Sequence, residues 1–276
     1  AGIGQESLKE AAYLASLRQM DALFHVVRCF TDETVSHIKG SVDPHRDLSS
    51  LELHLILTDL QVIENRLAKL EKDRTKMQEK DFEFEQAALE KARKWLETGA
   101  PLRTGTWSHD GMKRLKGFAF LSMKPMLVVL NIGEGQMDRR DEFLRDPQLA
   151  PLCHRPQTQA IVVCGKLEAE LAQMDDAEAA EFLASYGMSE PGRDRLIRAT
   201  HEILGLIVFL TLGEKESRAW SIPRGSTAVE AAGAIHSDLA KHFIRAEVTA
   251  WDHWLAEGGF AGARAKGLLR LEGKDY

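Results

Sequence analysis

The sequence predicts an α/β protein with a buried parallel sheet, a long helical insertion and a C-terminal module of α+β type. Three observations lead to this prediction. Short apolar segments that run into polar residues occur at 22–30, 126–130 and 160–164, as is typical of parallel strands covered on both faces. Residues 48–97 carry a heptad pattern instead. From residue 206 onward, short strand-like segments dominate.

Composition and charge exclude several functional classes. The chain has 276 residues, of which 44% are hydrophobic and 28% are charged, as in ordinary globular proteins. The net charge of −6 argues against a protein that coats nucleic acid non-specifically, but leaves room for a local basic patch. Cys29, Cys153 and Cys164 form no Cys-x-x-Cys, so we predict neither disulfides nor a zinc site, and a cytoplasmic location. No apolar run approaches the length of a membrane span, so no membrane partner is predicted.

The first part of the chain predicts a helix, a strand and a polar loop. Residues 5–19 have helical character, and the apolar segment 22–30 is the first buried strand. His25 lies inside this strand, where a core or edge histidine is the expected role. Residues 31–47 contain Gly40 and Pro44 and predict a loop, with His37 in its middle. A histidine in such a loop is most often simply solvated.

The heptad segment predicts two packed helices. Phe82, Leu89 and Leu96 lie seven residues apart in the second helix, which Gly99 and Pro101 should end. Two helices of this kind are expected to form an antiparallel coiled-coil arm. A structural hairpin is the simpler interpretation, and a docking arm for a large partner is the alternative. The first helix carries its apolar seam at Leu53, Ile56, Leu60, Ile63, Leu67 and Leu70, and the basic contacts of a docking arm would be Arg66, Lys69, Lys72, Arg74 and Lys76.

Polar residues follow the second buried strand. After a short helix predicted at 107–119, the strand 126–130 runs into Asn131 and Glu134. Open α/β sheets bind ligands at the carboxyl ends of their strands. An amide that donates and accepts, next to a carboxylate that only accepts, suits the edge of a nucleotide base. Because Asn-x-x-Glu is common by chance, this pattern alone is weak.

The remaining chain predicts two helices and then the β-rich module. Asp175 and Glu178 resemble a capping box for a helix over 177–186, which Gly187 ends, and 194–204 is a further helix. The module that follows has strand-like segments at 207–212, 218–222 and 243–248, with helix-like or turn-like segments at 228–235 and 237–241.

Several long, near-contiguous segments match a known family. The chain resembles the YchF group of Obg-like ATPases, which are P-loop NTPases of the translation-factor class. The match runs over nearly the full length. Its most specific pieces are residues 25–30 (His-Val-Val-Arg-Cys-Phe), 213–225, 231–238, 243–248 and 270–276.

The resemblance implies three parts. They are a partial P-loop G domain (1–47 and 119–202), an inserted coiled-coil arm (48–118) and a TGS domain of β-grasp type (203–276) that lacks its last strands. It also implies that the complete protein binds and hydrolyses ATP, and GTP as a second nucleotide, with Mg²⁺. The ribosome is the implied partner, contacted through the arm and the TGS domain.

The resemblance assigns a base site. Asn131 and Glu134 stand where guanine-specific relatives have Asn-Lys-x-Asp. An Asp there accepts two hydrogen bonds from guanine, which a longer and displaced Glu cannot reproduce, at a cost of about 2–3 kcal/mol. Ile132 replaces the Lys and should form an apolar platform for the base. Cys164, Gly165 and Lys166 match the second base-contact loop, in which the glycine should keep a backbone N–H available to the base.

His37 matches a histidine that the resemblance implies is catalytic. In this family a hydrophobic residue replaces the glutamine that orients water in Ras-like enzymes, and a histidine from a mobile loop is thought to help instead. A neutral imidazole can orient or deprotonate water near pH 7.

The sequence departs from the family at the phosphate site. It contains no Gly-x-x-x-x-Gly-Lys-Ser/Thr loop, and Gly165-Lys166 is followed by Leu167. The phosphate loop and the metal ligands of the family would lie upstream of Ala1, and residues 1–3 are either the tail of its Asp-x-Ala-Gly motif or lie just after it. The chain alone is therefore expected to be inactive. The alternative function is a non-catalytic module that binds ribosomal RNA or protein through Lys215, Arg218, Arg224, Lys241 and Arg245.

Overall fold

The computed structural model describes residues 7–74, 78–213 and 216–276. The predictions that concern residues 1–3, Lys76 and Lys215 lie outside these residues. The chain divides into two compact units, residues 1–203 and residues 204–276, and each is described by itself.

The first unit contains one sheet and nine described helices of α type. Its strands are β1 (Leu23–Arg28), β2 (Met126–Asn131) and β3 (Thr158–Val163). Two 3₁₀ helices cover Leu102–Thr104 and Glu134–Arg139. The α-helices are α1 (Ser7–Gln19), α2 (Pro44–Asp73), α3 (Glu79–Glu97), α4 (His109–Lys116), α5 (Arg140–Arg145), α6 (Ala150–Cys153), α7 (Gly165–Leu171), α8 (Asp176–Ser185) and α9 (Gly192–Ile203).

The sheet is parallel, in the order β1-β2-β3, with β2 at its centre. Every residue of β2 except the last is buried, which confirms the predicted strand covered on both faces. Met126, Val128 and Leu130 face the main core, whereas Leu127 and Val129 pack with residues of α9 on the other face. The strands end in register at Arg28, Asn131 and Val163, so their carboxyl ends share one edge.

Helix α2 begins at Pro44, inside the segment 31–47 that was predicted to be a loop. Asp43 is its N-cap, accepting a hydrogen bond from the backbone N–H of Arg46 at 2.9 Å, and Pro44 occupies the first turn. Proline suits that position because its missing N–H would have no helical partner there. Residues 44–47 are therefore helical, and the helix that enters the insertion starts before residue 48.

One helix joins two cores. Leu48 and Leu55 of α2 belong to the core beneath the sheet. Ile56 and Ile63, which lie about two turns beyond Leu48 and Leu55 respectively, pack against Leu89, Ala92 and Leu96 of α3. Leu53 is 53% exposed, so its assignment to the apolar seam is wrong. Leu53 does not contribute to the contact with α3, because the first turns of α2 face the sheet instead.

Buried charges connect the insertion to the sheet. Arg103, 5% exposed, donates to Glu52 of α2 at 2.5 Å and to Thr158 of β3 at 3.0 Å. Asp59, fully buried in α2, accepts from the backbone N–H groups of Leu121 and Ser122 at 3.0 and 2.7 Å. Burial raises the pKa of Asp59, while its hydrogen bonds oppose that shift. The segment that leads from α4 to β2 is thus held by a side chain from α2.

His25 lies in β1, an edge strand, on the same side as the buried residues Leu23 and Val27. Burial lowers the pKa of His25 from its ordinary value of 6.5 to about 4, although the Asp47 carboxylate raises it in part. Its Nδ1 has no hydrogen-bond partner among the described residues, so no hydrogen bond at this atom offsets the cost of burying the imidazole.

We expect a pH-dependent loss of stability from His25. Its pKa is lower in the folded state than in the unfolded chain, so the unfolded chain binds the extra proton first as pH falls. The free energy of unfolding should therefore fall between about pH 6.5 and pH 4, by up to about 3 kcal/mol. Urea denaturation at several pH values tests this. His25→Leu should flatten that part of the profile, and an unchanged slope in the variant would refute the assignment.

The second unit consists of two antiparallel strand pairs with short helices. β4 (Leu206–Leu212) pairs with β5 (Ser217–Pro223), and β6 (Ala246–Val248) pairs with β7 (Arg270–Glu272). The segment 243–248 therefore forms a strand only in its second half, and β7 was missed. The helices are α10 (Ala228–Ile235), α11 (Ser237–Lys241), α12 (Trp251–Ala256) and α13 (Phe260–Ala265), of which the last two were also missed. Across the described parts of the chain, no helix has the length and apolar character needed to cross a membrane.

Candidate nucleotide-base site

The candidate site lies where β2 and β3 end side by side. Asn131 is the last residue of β2, and its side-chain Oδ1 accepts a hydrogen bond from the backbone N–H of Gly165 at 2.9 Å. This bond orients the amide, because its oxygen is occupied and its Nδ2 group is the part left to donate. The main chain of Asn131 is also held, since its carbonyl accepts from the N–H of Cys29 at 2.8 Å.

Gly165 fits this contact because it lacks a side chain. A Cβ at this position would lie 3.3 Å from Asn131 Oδ1, closer than an ordinary contact. The prediction that Gly165 keeps its own N–H available to a base is wrong for this conformation, since that N–H is donated to Asn131. Cys164 is 3% exposed, so its side chain belongs to the core, and its carbonyl accepts from the N–H of Glu168 in the first turn of α7.

Glu134 is held by two side-chain donors. Its Oε2 accepts from Lys166 Nζ at 2.6 Å, and its Oε1 accepts from the Tyr186 hydroxyl at 2.8 Å. These contacts, that with Lys166 first, lower the pKa of Glu134, so the side chain is a carboxylate at neutral pH. Both carboxylate oxygens thus already have a protein donor.

Tyr186 is a site residue that the sequence did not reveal. It follows α8, and it lies 52 residues from Glu134 along the chain. Its carbonyl and that of Gly187 accept from the guanidinium of Arg140 at 3.1 and 3.0 Å. No spacing pattern marks such a contact. The only local sign was the position of Tyr186 directly before Gly187, where the predicted helix ends.

The segment between Asn131 and Glu134 is fixed by a neighbouring amide. Gln136 Oε1 accepts from the N–H of Gly133 at 2.7 Å, and Gln136 Nε2 donates to the carbonyl of Cys29 at 3.1 Å. Glu134–Arg139 form a 3₁₀ helix. The spacing of the Asn131 and Glu134 side chains is therefore set by the fold.

Ile132 does not face the candidate site. It is 1% exposed and packs in the core beneath the sheet. The prediction that Ile132 forms an apolar platform for the base is therefore wrong in this structure. An isoleucine directly after a buried strand gains more from the core than from a solvated edge.

His37 belongs to a separate set of contacts. Its Nε2 lies 3.0 Å from Asp47 Oδ2 in the first turn of α2, and its Nδ1 accepts from the N–H of Lys39 at 3.1 Å. Neither partner is a residue of the base site. The structure thus brings Asn131 to Gly165 and Glu134 to Lys166, but gives His37 no contact with any of them.

The described residues offer no ready metal centre. Among them, no three His, Cys, Asp or Glu side chains are grouped so that they could hold an ion. A Mg²⁺ ion that binds together with a nucleotide takes most of its ligands from phosphates and water, so this observation concerns only an ion held by protein side chains.

Comparisons with known proteins agree with this architecture. The family model YchF-GTPase_C, described as a protein of unknown function, matches residues 206–276. The Ribosome-binding ATPase YchF of Bacillus subtilis is 38% identical over 264 residues, which cover 96% of this chain and 72% of the relative. The protein of the same name from Haemophilus ducreyi is 40% identical over 266 residues, with the same coverage.

A solved structure extends the similarity to the fold. The Schizosaccharomyces pombe YchF GTPase superposes with a TM-score of 0.85 and 29% sequence identity. The match covers 100% of this chain and 73% of that protein. With this similarity in sequence and in fold over nearly all of its residues, the chain belongs to the YchF family.

Proposed function

We propose that this chain recognises the adenine base of ATP and associates with the ribosome in the cytoplasm. The observation that carries the nucleotide part is the fixed pair of polar side chains at the edge of the parallel sheet, Asn131 held by Gly165 and Glu134 held by Lys166 and Tyr186. Ligands of open α/β sheets bind at this edge.

Asn131 would contact a purine ring. Its Oδ1 is occupied by the N–H of Gly165, so Nδ2 is the group available to the ligand. Both adenine and guanine present N7 as an acceptor. Asn131 would therefore orient a purine without choosing between the two bases.

Glu134 would select adenine over guanine. Guanine offers two N–H donors on the edge that an Asp reads in guanine-specific relatives, and adenine lacks both. In this chain the two carboxylate oxygens accept from Lys166 and Tyr186. Guanine would have to compete with these charge-assisted contacts for the same oxygens, which reduces its advantage. GTP remains a second, weaker ligand.

The remaining assignments come from the family. Relatives are named ribosome-binding ATPases, and we propose the same association for this chain. The first unit would be a G domain, interrupted by a coiled-coil arm built on α2 and α3. The second unit would be a TGS domain of β-grasp type, and the arm and this domain would contact the ribosome.

We propose that His37 orients the attacking water when ATP is hydrolysed, with Mg²⁺ bound to the nucleotide phosphates. The imidazole would first have to leave Asp47, to which its Nε2 is bonded at 3.0 Å. The test uses a chain that also carries a phosphate-binding loop. In that chain, His37→Ala should lower ATP turnover and leave ATP affinity unchanged.

A non-catalytic role in ribosome binding is the second candidate. The observation in its favour is a basic side chain that lies over an aromatic ring in the second unit. In the second unit, the Arg218 guanidinium lies 4.2 Å from the centre of the Trp220 ring, a cation–aromatic pair suited to RNA.

Titration of ATP into the chain separates these candidates. We expect Asn131→Ala to weaken ATP binding about tenfold or more, because the amide that orients the base is lost. Gln159→Ala, which alters an exposed amide on β3, is the control and should leave affinity unchanged. If Asn131→Ala binds ATP as well as the control does, the base site is refuted. Absence of binding by the unaltered chain would favour the non-catalytic role.

A further inference from the structure

The arm carries a trough on the side of α3 that faces α4. A concavity of about 840 Å³ lies between these helices, and a second of about 410 Å³ continues along α3. Both are lined by Ala87 and Lys91, so they form one trough from Lys80 to Thr98. That length is about 27 Å at 1.5 Å per helical residue. Neither concavity lies at the base site.

The trough is positively charged in a chain with a net charge of −6. Five cationic side chains line it against two carboxylates, Glu90 and Asp110, and one of the five, Arg114, is paired with Asp81 at 2.7 Å. Its floor is made partly of Ala87, Ala88 and Gly111, which leave room for a ligand to approach the helices closely. The sequence had placed the basic contacts of the arm mainly on α2, whereas this surface belongs to α3 and α4.

Aromatic rings alternate with these cations. Lys80 Nζ lies 5.9 Å from the centre of the Phe84 ring, and Lys91 Nζ lies 5.2 Å from that of Trp107. Phe84 is 49% exposed. Trp107 is fixed, because its Nε1 donates to the carbonyl of Leu102 at 2.8 Å. Half-exposed or fixed rings beside cations are surfaces on which nucleic-acid bases stack while phosphates meet the charges.

We infer that this trough binds single-stranded RNA, with bases on Phe84 and Trp107 and phosphates along Lys80, Lys91 and Lys113. An acidic peptide would satisfy the charges, but it would leave the exposed Phe84 ring without a planar partner. The inference deepens the proposed ribosome association, on which it rests, by naming the chemistry of one contact surface.

The test is fluorescence anisotropy with labelled oligouridine and labelled polyglutamate, on the full chain. Lys80→Glu with Lys113→Glu should weaken oligouridine binding more than tenfold. It should also lower the slope of log affinity against log salt by about one to two. The matched control is Arg145→Glu with Arg193→Glu, which makes the same charge change at exposed positions of the first unit outside the trough and should alter affinity less than about threefold.

Phe84 separates RNA from an acidic peptide. Phe84→Ala should weaken oligouridine binding about tenfold, Phe84→Tyr should restore it, and neither should change polyglutamate binding. Equal effects of the two double variants, no effect of Phe84→Ala, or no oligouridine binding would each overturn the inference. Cosedimentation of the same variants with ribosomes reports the association separately. If the chain does not bind oligouridine but still cosediments with ribosomes, RNA binding by the trough is refuted while the ribosome association stands.

Discussion

Replacing Asp59 with alanine should lower the free energy of unfolding of the first unit by about 3 kcal/mol. The Asp59 carboxylate, fully buried in α2, accepts the backbone N–H groups of Leu121 and Ser122. Removing it relieves the cost of a buried charge, but it leaves two buried donors without an acceptor, at about 1–3 kcal/mol each. Arg18, whose Nη1 lies 3.8 Å from Asp59, would lose its counter-charge as well.

Urea denaturation followed by tryptophan fluorescence measures this effect. Asp81→Ala is the matched control, because it removes the same side chain from an ion pair with Arg114 that is largely exposed. Asp81→Ala should lower the free energy of unfolding by less than about 1 kcal/mol. Asp59→Asn, which keeps one acceptor oxygen, should fall between the two. If Asp59→Ala costs no more than the control, the attachment of α2 to the segment before β2 does not depend on this carboxylate.

Replacing Glu134 with aspartate should raise the affinity for GTP relative to ATP by about 30-fold, or about 2 kcal/mol. The shorter side chain would withdraw from Lys166 and Tyr186, which hold both oxygens of Glu134 at 2.6 and 2.8 Å. Its carboxylate could then accept the two N–H donors of guanine. Calorimetric titration of both nucleotides gives the ratio of dissociation constants, in which contributions from the phosphates cancel.

Two further variants define the cause of the shift. Tyr186→Phe removes one of the two donors and should move the ratio toward GTP by a smaller factor than Glu134→Asp. Glu134→Gln removes the anionic acceptor and should not favour GTP. If the ratio of the two affinities is unchanged in Glu134→Asp, the carboxylate does not select the base.

The central strand and the pairing of the insertion helices could be predicted because they depend on local patterns. An uncharged apolar run at 126–130 is typical of a strand covered on both faces, and β2 is buried there. The capping box of Asp175 and Glu178 forms as predicted, since its hydrogen bonds join residues three apart. The start of α2 was missed because a polar segment with Pro44 suits both a loop and a first helical turn.

The site was only half predictable. Asn131 and Glu134 stand out as polar residues after a buried strand, whereas the partners that orient them come from distant segments. Tyr186 reaches Glu134 across 52 residues, and Gly165 reaches Asn131 across 34. No periodicity records such contacts, because they arise only when separate elements pack.

The sequence by itself determined the α/β class, the polar edge at Asn131 and Glu134, and the family, because strand burial and long contiguous matches are properties of local segments. The tertiary structure alone decided what those residues do to each other. In the folded protein, Ile132 faces the core and the N–H of Gly165 donates to Asn131. Both carboxylate oxygens of Glu134 accept hydrogen bonds from other side chains. The physical reason is that a buried or hydrogen-bonded state depends on every element around a residue, which no single segment encodes.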